Sequence, residues 1–313
     1  MNEDPTPSPL PLTKCDLSGR LKSVSKGRKR VEKPDRHAEP LQLSIIITSY
    51  RSKRFIEQTL GSILTSLNCS SLHSEIIVVN DAPEEDLSFL SKIYPEIILL
   101  DNDENLGVAK SRNRGRETAR GEYIHFVDYD DWVSEGFYPA LEKEIDEGAD
   151  LVLFNVRQHA GRESRTFYNP LFSFYFPLLT GNSLLRYGSM IRTIGQLVFR
   201  KGIMDPLIET EARGGDDYFL YIDLFNKRRG KRYRYVKEPL FNYRIHENNL
   251  SKRADFLQSN LECFEIFSRR YPEFRKYQKY LYTKHAGNIL AKMAGKILRN
   301  LISKGENWVH KGK

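Results

Sequence analysis

From Leu43 onward, short β-branched runs alternate with segments whose apolar residues recur at helical spacing, and that alternation narrows the folds open to the chain. Leu43-Ser44-Ile45-Ile46-Ile47-Thr48 and Glu75-Ile76-Ile77-Val78-Val79-Asn80 are apolar on both faces, as strands covered on both sides must be. Glu96-Ile97-Ile98-Leu99-Leu100 and residues 123–127 supply two more strands. Between them Phe55, Thr59, Leu60, Ile63, Leu64 and Leu67 stand at helical spacing, an apolar stretch runs through Leu87, Leu90 and Ile93, and residues 107–118 read as helix. Parallel strands need a crossover, and segments of these lengths provide it. The expected class is α/β, a mostly parallel sheet flanked by helices.

Beyond residue 131 the regularity loosens. The pattern predicts a helix over 135–147, a strand over 150–156 and an aromatic-rich loop or hairpin over 158–177. A helix over 182–190, a strand over 196–200, a helix over 217–226 and strands near Tyr233 and Phe241 complete a mixed second half. Residues from 255 on read as helical. Segment 286–303 places Ile289, Leu290, Met293, Ile297, Leu298 and Leu301 on one face with Lys292, Lys296 and Arg299 beside them. That pattern fits an interfacial membrane helix and an amphipathic helix packed on the domain equally well. Residues 1–40, with Pro5, Pro7, Pro9 and Pro11 followed by the run Lys26-Gly27-Arg28-Lys29-Arg30, have little to build a core from and read as a disordered, basic tail. The expected organisation is therefore a tail (1–40), a domain over 41–253 whose halves meet near residue 131, and a basic helical segment over 254–313.

Composition excludes several classes. None of the apolar runs in the 313 residues is long enough to span a bilayer, and no secretory leader pattern is visible at the start. Cys15, Cys69 and Cys263 are scattered and odd in number, so neither a disulfide framework nor a metal knuckle is expected, and a cytoplasmic setting is the simpler reading. The net charge of +8 favours acidic partners: phosphorylated substrates, an anionic membrane surface or nucleic acid.

In a parallel sheet, ligands gather at the carboxyl ends of the strands, and there this chain concentrates its polar residues. Ile124-His125-Phe126-Val127 runs into Asp128-Tyr129-Asp130-Asp131. A capped turn needs one acid; three repel one another unless something cationic joins them, which points to a hard divalent metal or to sugar hydroxyls. Thr48 and Tyr50 leave the first strand, the tyrosine suited to stacking on a base, though a ring covering the sheet edge explains it better when taken alone. Asn80 and Asp81 leave the second, where local capping is again the plainer account. Asn105 to Asn113 opens a helix with glycine and carries Lys110 and Arg112, a setting suited to a diphosphate and equally to a solvated basic face. Gly214-Gly215-Asp216-Asp217 offers a general base at a helix start, Asp217 the better one because Asp216 could cap the helix. Tyr243-Arg244-Ile245-His246 supplies an imidazole for a metal, while Arg244 or Lys252 could meet phosphate.

Together these segments resemble the family-2 glycosyltransferases of GT-A fold, over roughly residues 43–253. Ser44 to Tyr50 is similar to the family's first strand, whose Thr and Tyr contact the nucleobase, and Ile76 to Asp81 to its second, whose final acid reads the base. Asp128-Tyr129-Asp130 matches the Asp-X-Asp motif for ribose and metal. Gly215-Asp216-Asp217 resembles Gly-Glu-Asp, whose last acid is the catalytic base, and Tyr243 to Ser251 resembles the element whose His approaches the metal. Asn80 stands where a first Asp is usual, Ala82-Pro83 where Gly-Ser is usual, and Asp216 where Glu is usual.

The resemblance implies an inverting transferase using Mn²⁺ or Mg²⁺. Asp130, Asp128, Asp131 and His246 would surround the metal, and Thr48, Tyr50, Asn80, Asp81, Arg112, Asp128, Arg244 and Lys252 would line the donor. Asp217, or failing it Asp216, would be the base. It implies a UDP-sugar donor and a glycan or lipid-linked glycan acceptor in bacterial surface polysaccharide or lipopolysaccharide synthesis, with peripheral contact at the inner membrane face through the basic C-terminal helix. Two other classes compete. A nucleotidyltransferase would carry a glycine-rich loop after the first strand, which Ser49-Tyr50-Arg51-Ser52 lacks, and a nucleic-acid-binding protein is disfavoured by the central acids, so no specific nucleic acid is expected.

Overall fold

The computed structural model describes residues 40–167, 172–187, 191–210, 215–247, 249 and 256–279. The expected tail, the helix 286–303 and Lys252 lie outside them. In chain order the elements are β1 (Leu43–Ser49), α1 (Ile56–Leu67), β2 (Ser74–Asn80), α2 (Ser88–Ile93), β3 (Ile98–Asp101), α3 (Val108–Thr118), β4 (Tyr123–Asp128), β5 (Trp132–Val133), α4 (Phe137–Asp146), β6 (Leu151–Ala160), β7 (Glu163–Thr166), α5 (Phe172–Tyr175), α6 (Gly181–Tyr187), β8 (Leu197–Arg200), α7 (Asp216–Asn226), β9 (Tyr233–Ile245) and α8 (Phe256–Arg270).

One sheet runs β3-β2-β1-β4-β8-β6-β9-β5, with β7 hairpinned onto β6. The first four strands are mutually parallel, as their double-sided apolar runs require. Ile45, Ile46 and Ile47 on β1, Ile77, Val78 and Val79 on β2 and Ile124 and Phe126 on β4 are buried. Helix α3 closes on this half so tightly that a Cβ on Gly115 would strike the side chain of Ile46.

Past β4 the sheet turns mixed: β8 is antiparallel to both β4 and β6, while β9 is parallel to β6 and antiparallel to β5. The two strands expected near Tyr233 and Phe241 are one long β9. A register shift between Phe154 and Val156 absorbs the residues around Pro239, with the Asn155 amide donating to Lys237 O at 2.9 Å. Of the loop or hairpin expected over 158–177, a short hairpin forms: β6 runs past the expected end at 156 to Ala160 and turns at Gly161, φ +59°, into β7. Aromatic packing fills this half: Phe137 lies 4.0 Å from Phe154 between ring centroids, and the buried His125 ring stacks on Phe137 at 5.0 Å. Among the described residues no helix is long and apolar enough to cross a membrane.

Candidate active site

Register gathers the first site residues. Thr48 lies level with Asp128 across the β1–β4 pair, and Ser49 level with Asn80 across β1–β2. The carboxyl ends of three parallel strands therefore open at one rim.

Arg112, buried on α3, crosses from that rim to the second half of the chain. One terminal nitrogen donates to Asp128 Oδ1 at 2.6 Å and the other to Asp216 Oδ2 at 2.9 Å. Burial opposes its charge, but Asp128, Asp216 and Asp217 more than offset that, so its pKa lies above the ordinary value. Its Nε is buried with no hydrogen-bond partner among the described residues. Asp128 shifts upward because burial outweighs the help Arg112 gives its anion.

Asp216 and Asp217 open α7, where the helix dipole favours acids, and the preceding Gly215 has φ +83°. Asp216 is buried and spends its carboxylate on Arg112 rather than on capping: α7 has no side-chain cap bond. Asp217 is half-buried, accepting from Tyr218 N at 2.7 Å and from the Tyr221 hydroxyl at 3.2 Å. Burial, then the neighbouring Asp216, pushes its pKa up to about 6. A carboxyl tuned that high, beside a fixed guanidinium, is suited to accept a proton near neutral pH.

The other acids of the β4 terminus divide. Asp130 Oδ2 and His246 Nε2 lie 2.6 Å apart, both partly exposed. Asp131 is buried and faces the opposite way, into the fold. Its Oδ1 accepts from Arg244 N at 2.9 Å and its Oδ2 from the Thr193 hydroxyl at 3.3 Å. Burial, followed by the charges of Asp130 and Asp128, raises its pKa well above the carboxylate range. Arg244 is also committed. Its guanidinium lies 4.4 Å from the Phe55 centroid and 4.6 Å from that of Trp132, and donates to Asp130 O at 2.9 Å and Gln58 Oε1 at 2.7 Å.

On the donor-base side, Tyr50 is half-exposed with Arg51 over its ring at 5.1 Å. Asn80 is buried, donating to Glu85 O at 2.8 Å and Asp101 Oδ1 at 3.0 Å. Asp81 does not cap its own turn. Its oxygens accept from Leu106 N at 2.7 Å, Gly107 N at 2.9 Å and Asn102 Nδ2 at 2.8 Å, so it fixes the start of α3 from a neighbouring strand. Gly107 can present its amide there because it holds φ +86°.

Sequence reading missed Gln58, Thr193 and Tyr221, which hold Arg244, Asp131 and Asp217 in turn. It named Asn113 only as the end of the Asn105–Asn113 segment; the Asn113 side chain bonds Leu207 N and O at 2.8 and 3.0 Å and fastens the irregular segment that follows β8. Gln58, Thr193 and Asn113 carry no local signal, because the segments they join are brought together only by the fold; Tyr221, four residues after Asp217 on one helix, stands at a spacing that could have shown it.

Two residues of the rim have the chemistry to hold a divalent cation, without forming a closed cage. Among the described residues no group of three His, Cys, Asp or Glu side chains converges on a common point. Asp130 and His246 nevertheless place a carboxylate and an imidazole side by side at a partly exposed rim, hydrogen-bonded to each other, and both are residue types that ligate such ions. Mg²⁺ and Mn²⁺ are commonly held by one or two protein groups, with water and phosphate oxygens completing the shell, so the donor set fits.

Comparison with known proteins supports the same direction. The family model described as glycosyl transferase family 2 matches residues 44–207. The putative glycosyltransferase EpsH of Bacillus subtilis is 25% identical over 251 residues, covering 76% of this chain and 71% of EpsH. The minor teichoic acid biosynthesis protein GgaB of B. subtilis is 25% identical over 215 residues, 66% of this chain but 23% of GgaB. A crystal structure of S. aureus TarS 1–349 in complex with UDP-GlcNAc superposes with a TM-score of 0.57 at 20% identity, covering 72% of this chain and 65% of that one. That likeness is one of fold.

Proposed function

The chain belongs to glycosyl transferase family 2, and from that premise we propose that it moves a sugar from a nucleoside-diphosphate sugar, a UDP-sugar first of all, to a hydroxyl of a glycan or glycolipid acceptor with inversion. The carrying observation is Asp217, a carboxyl lifted to about 6 whose partner Asp216 is tied through Arg112 to the strand end at Asp128.

In this reading the donor lies across the rim. Tyr50 stacks on the base with Thr48 beside it, Asp128 faces the ribose, and Asn80 and Asp81 shape the wall by fixing the turns around them. Asp217 takes the proton from the acceptor hydroxyl as that oxygen bonds to the anomeric carbon. The bond from that carbon to the diphosphate breaks on the opposite face, so one displacement inverts the centre. Arg112 holds Asp128 and Asp216 in place. Asp130 and His246 would hold Mn²⁺ or Mg²⁺, which when bound supplies positive charge against the negative charge developing on the leaving diphosphate. Asp131 and Arg244 build the turn that aims Asp130 and His246.

A donor of the UDP-sugar class is supported by the fold shared with the UDP-GlcNAc complex of TarS, and a role in bacterial surface-polymer synthesis by the relative named for teichoic acid. We place the nucleotide-sugar half at about 41–131 and the acceptor half at about 132–253. Peripheral contact at the inner membrane face through 286–303 is part of the same proposal, and that segment lies outside the described residues. The direct test is a panel of nucleotide sugars with Mn²⁺, scored by release of free nucleotide. Release from one sugar class supports the reading, and release from none overturns it.

A further inference from the structure

The Phe172–Leu178 region is built with apolar side chains on two sides. Phe172, Phe176 and Leu179 point into the fold, where Tyr235 packs 4.9 Å from Phe172 and 5.7 Å from Phe176. The residues between them point outward: Phe174 is 75%, Tyr175 56% and Leu178 71% exposed. These three are most of the five large hydrophobics exposed among the described residues, so they form a patch rather than the usual scatter.

One side of this region is held by an arginine. Arg228 lies over the Phe176 ring at 4.8 Å and donates to Phe176 O at 2.6 Å, joining the patch to the turn that follows α7. In that turn Lys227 is paired with Asp205 and Asp223, and Arg232 donates to Glu147 O. Arg229 and Lys231 are exposed beside them. An aromatic and aliphatic knuckle joined to a turn that carries cations matches the chemistry of an anionic bilayer surface: apolar tips for the acyl boundary, a tyrosine for the interface, cations for lipid phosphates.

We propose that Phe174, Tyr175 and Leu178 insert into the surface of an anionic phospholipid bilayer, with Arg229 and Lys231 resting on the lipid phosphates. The contact is separate from the segment 286–303 and does not depend on which sugar is moved. It also has a geometric consequence. Helix α7 ends at the basic turn and begins at Asp216, so its length of about 16 Å is the span along the helix between the bilayer contact and the base.

The test uses the full chain in co-sedimentation with vesicles of phosphatidylcholine alone or with phosphatidylglycerol added. Wild type is expected to bind the anionic vesicles preferentially, and less at high salt. Phe174→Ser with Leu178→Ser is expected to weaken binding at least about tenfold, and Arg229→Glu with Lys231→Glu to remove the preference for phosphatidylglycerol. All four positions are exposed, so unchanged melting curves and unchanged nucleotide release in solution are expected, which separates this contact from the proposed catalysis. A chain carrying Lys292→Glu, Lys296→Glu and Arg299→Glu should keep the dependence on Phe174 and Leu178. The proposal is overturned by any of four results: no vesicle binding by wild type, undiminished binding by the Phe174/Leu178 variant, complete loss of binding on changing 292, 296 and 299 alone, or conversion of a dimer to a monomer by the Phe174/Leu178 variant.

Discussion

Arg112 donates to Asp128 at 2.6 Å and to Asp216 at 2.9 Å, so one guanidinium joins the end of β4 to the start of α7. The two acids come from opposite halves of the chain, and Asp216 lies 104 residues from the arginine that holds it. Its two terminal nitrogens meet the two acids separately from one rigid plane, where a lysine would have to serve both from a single nitrogen. The bridge thus sets the distance between the donor rim and the proposed base.

Removing that fork has a stability cost as well as a catalytic one. Arg112→Met leaves the buried Asp216 and the partly exposed Asp128 facing each other without a cation; breaking a fully buried network typically costs about 3–5 kcal/mol, and the exposure of Asp128 puts this one at or below the lower end. Denaturant unfolding at neutral pH should show a loss of that order, with Arg112→Lys between the variant and wild type. Transfer should fall sharply in both. An Arg112→Met chain as stable as wild type would mean that the bridge contributes nothing to the fold.

Asp217 makes a prediction in pH. Its folded pKa is raised from 3.8 to about 6, so the folded chain holds that proton more tightly than the unfolded chain does. Its contribution to stability is therefore greatest at low pH, declines as pH rises from about 4 to about 6, and stays low above that. Asp217→Asn should flatten this window and be no less stable than wild type at pH near 8. The same titration limits the base: kcat/KM should fall as pH drops below about 6, and Asp217→Asn should lower kcat by roughly a hundredfold to ten-thousandfold. Near-normal transfer by Asp217→Asn with loss in Asp216→Asn would reverse the roles.

The parallel half of the fold was legible because burial on both faces forces continuous apolar strands, and β1, β2 and β4 carry them. The acidic end of β4 stood out for the same reason: polar residues there have no use in a core. The later half was harder to read because its pairings are tertiary. Strand β8 finds both β4 and β6 as antiparallel neighbours, and Pro239 interrupts the pattern of β9 although the strand continues past it. Within the site, the Asp-X-Asp match set Asp130 foremost as a metal ligand, but residue type alone kept Asp131 in the same cluster. Their separation depends on Thr193 and the Arg244 amide, which no spacing near residue 131 announces.

That separation is itself testable. Asp130→Ala should cost no more in unfolding than its one hydrogen bond to His246, about 1 kcal/mol, yet abolish the stimulation of nucleotide release by Mn²⁺. His246→Ala should weaken that stimulation, and a chelator should suppress release in wild type until metal is restored. Asp131→Ala should instead cost about 1–3 kcal/mol, because the Arg244 amide loses its buried acceptor. Asp131→Asn, which keeps an acceptor oxygen, should fold well. If chelation leaves transfer intact, the proposed role of Asp130 and His246 fails while the role of Asp131 in the fold stands.

Gly215 offers a test of how closely the base is placed. It holds φ +83°, a conformation that costs an L-residue about 1–2 kcal/mol, and a Cβ there would sit 3.0 Å from the Asn260 side chain on α8. Gly215→Ala must either accept that strain or rotate the first turn of α7, carrying Asp216 and Asp217 with it. Since Asp216 is anchored to Arg112, rotation also stretches the bridge. The expected outcome is a stability loss of about 1–2 kcal/mol together with a fall in kcat that exceeds any change in KM for the donor, whose proposed contacts lie on the β1 and β4 side. A change confined to KM would place Gly215 in donor binding instead of in the positioning of Asp217.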